Sequence, residues 1–102
     1  MFDSDKRYIT KGIQSKLPTM FIVLIFGLID DMVKKRNDVD YFQVFRISET
    51  EDGYKVIHSQ ESPEYCEVIN VISGEEKGDY LDKTIYFIDD GDHSTLLFAD
   101  EY

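Results

Sequence analysis

The sequence predicts an α+β fold, an antiparallel sheet of about five or six strands with one long helix packed on one face. Three observations carry that prediction. An apolar run from Met20 to Ile29 lies between helical start and stop signals. From Tyr41 onward, apolar residues recur with period two. The connections between these later segments are short, and Asp-Gly pairs recur in them, which favours antiparallel neighbours. A chain of 102 residues buries only about 60 to 65% of its unfolded surface, so one domain spanning 1–102 is expected.

The first segment, Arg7 to Ile13, places Ile9, Lys11 and Ile13 on one side and Tyr8, Thr10 and Gly12 on the other, which predicts a short strand. Pro18 then suits the first position of a helix, where its missing N–H costs nothing. Lys34, Lys35 and Arg36 complement the negative end of the helix dipole, and Asn37 can take a left-handed cap, so the helix should end there after about five turns, roughly 28 Å.

The first half of this helix is apolar on every side, whereas Asp30 to Arg36 is amphipathic. A sheet covers one side of a helix; either a second copy of the chain, another protein, or the domain's own loops must cover the rest. The contact residues expected for self-association or protein binding are Phe21, Ile22, Ile25, Phe26 and Ile29. The apolar run is about half the roughly 20 residues a bilayer span needs, so no membrane association is expected.

Strands follow at Tyr41 to Ser48 and Tyr54 to Gln60, joined across Glu49 to Gly53 with Asp52-Gly53 as the turn. Pro63 interrupts, Tyr65 to Ile72 reads as another strand, and Ser73 to Asp79 as a mobile loop with two glycines. Thr84 to Ile88 and Ser94 to Ala99 are almost continuously apolar and flank the tight turn Asp89 to His93, which predicts the centre of the sheet.

Twenty-one acidic and eleven basic residues give a net charge of −10 and an isoelectric point near 4.4. Such a charge repels phosphate backbones and anionic membranes, which disfavours direct nucleic-acid binding, and it suits a basic partner. An acidic inhibitor of a DNA-binding protein is an alternative resting on charge alone. No basic segment followed by an apolar stretch opens the chain, and a single cysteine, Cys66, forms no internal disulfide, so the cytoplasm is expected.

The densest polar cluster is Asp89, Asp90, Asp92 and His93, with Asp100 and Glu101 one strand later. These are oxygen and imidazole donors suited to a divalent metal, and a small metal-dependent enzyme is the second functional alternative. The spacing departs from an EF-hand loop, and Asp-Gly is also what a hairpin turn requires. Phosphoryl acceptance by Asp89 would need a parallel sheet with crossover helices, which one helix does not supply. Cys66 has no feature of an activated nucleophile, and His58 reads as a strand histidine. There is no phosphate-cradling loop and no nucleophile elbow, and no cofactor is expected.

Several segments together resemble a known family: Arg7-Tyr8-Ile9-Thr10-Lys11-Gly12-Ile13, Leu28-Ile29-Asp30, Asp40 to Phe45, Gln60 to Tyr65, and above all Ile88 to Tyr102. The chain resembles the small Gram-positive bacterial proteins of domain-of-unknown-function family 960. The resemblance implies a cytoplasmic bacterial domain with no assigned activity, cofactor or partner. The helix departs from it, with fewer polar positions between Met20 and Phe26 than the family would carry. The combined expectation is a non-enzymatic protein-interaction or regulatory module.

Overall fold

Alternation of small apolar and polar residues, and one long apolar helix, resolve in the computed structural model into a six-stranded sheet with two helices on one side; residues 1–74 and 77–102 are described. The elements are β1 (Arg7–Ile9), α1 (Lys11–Lys16), α2 (Thr19–Lys35), β2 (Phe42–Glu49), β3 (Gly53–Gln60), β4 (Tyr65–Ile72), β5 (Thr84–Asp89) and β6 (Ser94–Phe98), followed by a 3-10 turn, Ala99–Glu101. The strand order is β1-β6-β5-β2-β3-β4. Every pairing is antiparallel except β1 with β6, which is parallel, so the sheet is mixed.

Helix α2 starts directly after Pro18, whose carbonyl accepts from Phe21 N (3.0 Å) and Ile22 N (3.3 Å). Phe21, Ile25, Ile29 and Met32 form one buried stripe at helical spacing. Phe21, Ile25 and Ile29 of this stripe belong to a single core with Phe45, Ile47, Val56, Ile85, Phe87, Leu96 and Phe98, the inward residues of four strands. Aromatic rings lock the contact: Phe21 meets Tyr54 at 5.3 Å and Tyr80 at 5.5 Å, and Phe26 meets Phe87 at 5.2 Å.

The predicted strand Arg7 to Ile13 is only half a strand. β1 stops at Ile9, and Lys11–Lys16 is a short helix whose N-cap is Thr10, its hydroxyl accepting from Ile13 N at 3.3 Å. Ile13 is completely buried, so an apolar residue that fitted strand alternation serves instead as the inward residue of a helical turn. Two helices carry the chain back over the inner face before β2, which lets β1 lie parallel to β6. The expected central position of Thr84 to Ala99 holds for β5, which pairs with β2 in the middle, while β6 lies one place further out, covered at its outer edge by β1.

Arg7 fastens the N-terminal segment to this core. Its guanidinium lies over the rings of Phe26 (5.1 Å) and Phe87 (5.8 Å), pairs with Asp30, and donates to Phe2 O at 2.7 Å. The β2–β3 turn closes as expected, with Thr50 N donating to Gly53 O at 2.9 Å. Gly53 is obligatory there, since a Cβ would sit 2.1 Å from Val71 O of β4. Of the loop expected at Ser73 to Asp79, residues 75 and 76 lie outside the described residues.

The packing separates two positions on one helix. Phe21→Ala should cost about 3 to 5 kcal/mol of unfolding free energy, because it empties a fully buried site, whereas Val23→Ala on the exposed side should change it by less than about 0.5 kcal/mol. Urea unfolding followed by circular dichroism measures both, and equal losses would contradict this packing.

Candidate functional site

Because both helices bury their apolar residues on the inner face, the outer face of the sheet is left open. Cross-strand register decides what stands there. Val44 pairs with Tyr86 and Tyr86 with Leu97; Phe42 pairs with Ile88, Ile88 with Thr95, and Thr95 with Tyr8; Arg46 pairs with Ile57 and Ile57 with Val68. These pairs share one face, opposite Phe45, Ile47, Val56 and Phe87.

At the β2 end of this face four rings gather. Phe42 and Tyr86 meet edge to face at 4.7 Å, Tyr102 closes on both at 5.9 and 5.7 Å, and Tyr41 lies 6.2 Å from Phe42. Tyr41, Phe42 and Tyr86 line a cleft of about 460 Å³ whose rim carries Asp40 and Glu61. The Asp40 carboxylate is held in place, one oxygen accepting from Phe42 N (3.1 Å) and the other from Ser62 N (3.2 Å).

The cleft's other support is a buried amide chain on the inner side. Gln43 Nε2 donates to Asp40 O and to Gln60 Oε1, both at 2.7 Å, and Gln60 Nε2 donates to Asp38 O (3.1 Å) and Pro63 O (2.9 Å). Gln60 Oε1 also accepts from Asp40 N at 2.9 Å. Those backbone partners fix both amide orientations and leave Gln43 Oε1 as the acceptor for His58 Nε2 at 2.7 Å, so the proton of the neutral ring sits on Nε2. His58 stacks on Phe45 at 4.3 Å, and burial pushes its pKa from the ordinary 6.5 down to about 4, with Glu67 opposing. Beside it, Arg36 lies over the Tyr65 ring at 4.7 Å, and the Tyr65 hydroxyl donates to Glu67, which raises its pKa to about 12.

The residues singled out in the sequence fall in three places. Phe21, Ile25 and Ile29 are fully buried under the sheet, and Ile22 and Phe26 are half-buried at the helix flanks. The outward side of α2 instead presents Val23, 64% exposed, among Gly27, Asp31, Lys34 and Lys35. The turn residues are engaged with their own backbone. Asp89 accepts from Gly91 N (2.7 Å) and from Phe2 N (2.5 Å), and Asp90 accepts from Asp92 N (3.1 Å) and His93 N (3.0 Å), with His93 Nε2 at 3.2 Å from its second oxygen. Those bonds hold the Asp90 carboxyl below the usual carboxylate range, led by the His93 N–H. Gly91 takes φ of 101°, the conformation this turn needs. Among the described residues, no three His, Cys, Asp or Glu side chains converge as a metal site would require. Glu101 does not return to the turn; it accepts from Thr10 Oγ1 (2.8 Å), Gly12 N (3.3 Å) and Phe98 N (2.9 Å), fastening α1 to the end of β6. Cys66 is exposed on β4.

The aromatic cleft was not read from the sequence. Phe42 and Val44 alternate with Gln43 and Phe45, and period two alone does not say which set meets the helix; the buried Gln43 reverses the hydrophobicity ordering at that position.

Three comparisons place the chain among known proteins. Residues 6–101 match the family described as Staphylococcal protein of unknown function (DUF960). A crystal structure of a protein of unknown function from Enterococcus faecalis is similar, with a TM-score of 0.83 at 27% identity, covering 99% of this chain and 94% of that one. No curated protein matches.

The depressed His58 pKa has a stability consequence. The unfolded chain takes up the proton near pH 6.5 and the folded one near pH 4, so this group's contribution is fully present above pH 6.5 and is lost as pH falls through that window, by about 3 kcal/mol. NMR titration of the His58 ring should show a midpoint near 4, and His58→Gln should flatten the stability profile between pH 6.5 and 4. A midpoint above 6 would contradict the burial described.

Proposed function

The chain belongs to the DUF960 family, which carries no assigned activity, and on that footing we propose that it works in the cytoplasm as a non-enzymatic protein-interaction module whose contact surface is the open face of the sheet. One observation carries this reading. The outer face presents the Phe42, Tyr86 and Tyr102 ring cluster, with Tyr41 more than half exposed beside it and Tyr8 and Val68 more than half exposed on the edge strands, while both helices are committed to the other side. Aromatic side chains gathered on an exposed surface are what protein contacts use, because they bury much area at little cost in side-chain entropy.

The helix surface expected from the sequence supports less. Three of its five residues are in the core, and what faces outward is Val23 and, less exposed, Val33 beside charges. The Asp89 to His93 turn is accounted for by its own hydrogen bonds.

Site-specific photo-crosslinking in the cell tests the proposal. A benzophenone side chain at position 86 should give a discrete adduct with another protein or a second copy, whose mass identifies which, and the same group at position 23 on the helix should give none. An adduct from position 23 alone, or none from position 86, would refute it.

A further inference from the structure

We infer that the cleft lined by Tyr41, Phe42 and Tyr86 receives a cationic side chain, arginine or lysine, from a basic segment of the partner protein. The inference rests on the open face being the contact surface and adds the chemistry of what docks there. The faces of aromatic rings carry negative quadrupole density, so the rings lining this cleft of about 460 Å³ can hold a cation as well as an apolar group. Tyr102, 79% exposed, meets Phe42 and Tyr86 beside the cleft and holds both rings in place.

Charge points the same way. Asp40 sits at the rim with its carboxylate oriented by two backbone N–H groups, and the exposed Glu61 stands beside it. Those backbone bonds hold the group without cancelling its charge. At the opposite side of the cleft Arg46 donates to Thr84 Oγ1 at 3.3 Å, so a positive group already occupies that border and an incoming cation is steered to the Asp40 end. Around the site the whole chain carries −10, which raises the encounter rate with a basic segment and repels an acidic one. Ring faces, a fixed carboxylate and long-range field therefore select one class of side chain.

The test uses the full chain and three capped tripeptides, acetyl-Gly-Arg-Gly-amide, its lysine counterpart, and its citrulline counterpart, which keeps the shape of arginine without its charge. In NMR titrations the arginine or lysine peptide should produce saturable shifts in the ring signals of Tyr41, Phe42 and Tyr86, weakening with salt, and citrulline should produce none. Tyr86→Leu, and separately the exposed Tyr41→Ala, should weaken binding about 3- to 10-fold with the unfolding midpoint unchanged. A stronger response to arginine than to lysine identifies planar stacking; an equal response identifies a point charge. Shifts that persist with citrulline, that scatter over acidic residues and spare the rings, or that do not occur at all overturn the inference. If the crosslink at position 86 forms nonetheless, the contact face stands and only the cationic occupant is wrong; if both fail, both readings fall.

Discussion

Everything in this molecule depends on which side of the sheet takes the stripe Phe21, Ile25, Ile29 and Met32 of α2. A sheet of six strands has two faces and this chain has one long helix, so packing that stripe on Phe45, Ile47, Val56 and Phe87 closes one face and leaves the other to water. Closing the inner face fixes strand register, because a slip of one residue would turn Phe42 and Val44 inward and put Phe45 in solvent. The rings of the open face are therefore held in position by burial on the opposite side.

The two ends of the β2–β3 hairpin are stabilised by different means. At the Gly53 end, aliphatic and aromatic packing dominates, with β4 lying close enough that no side chain fits. At the other end the inner face carries Gln43, His58 and Gln60, all essentially buried and linked to each other and to backbone carbonyls. Burying such groups is tolerable because their polar atoms find partners, and their directional bonds fix Asp40 and the chain through Pro63 that frame the cleft. Arg7 is the charged counterpart, largely buried between two rings and an aspartate at the N-terminal side.

Much of the fold was legible in the sequence. The long helix, the hairpin across Asp52-Gly53, β4 after Pro63 and the hairpin across Asp89 to His93 were all placed, because each is specified by local signals: a proline at a helix start, period two, and glycine at a turn. What was missed needed long-range information. Thr10 to Lys16 offers too few residues for strand and helix periods to separate, and the parallel pairing of β1 follows from contacts with a strand more than eighty residues away. The contact surface was assigned to α2 from its all-round apolarity, yet Phe2, Leu17, Tyr80 and Leu81 pack around its flanks, contributions that no periodicity in the helix reveals.

The parallel pairing of β1 with β6 also has a temporal meaning. On the ribosome, Arg7 to Ile9 emerge long before Ser94 to Phe98, the strand they lie against, and Glu101 supplies the acceptor for the N-terminal end of α1. The meander of β2, β3 and β4 can assemble early, but the sheet cannot be completed, nor α1 anchored, until Ser94 to Glu101 have left the exit tunnel. Until then the apolar run of α2 has only part of its cover. The inner cover of Met20 to Ile29 is thus assembled from segments far apart in the chain, and the order of synthesis separates the helix from the last strand that closes over it.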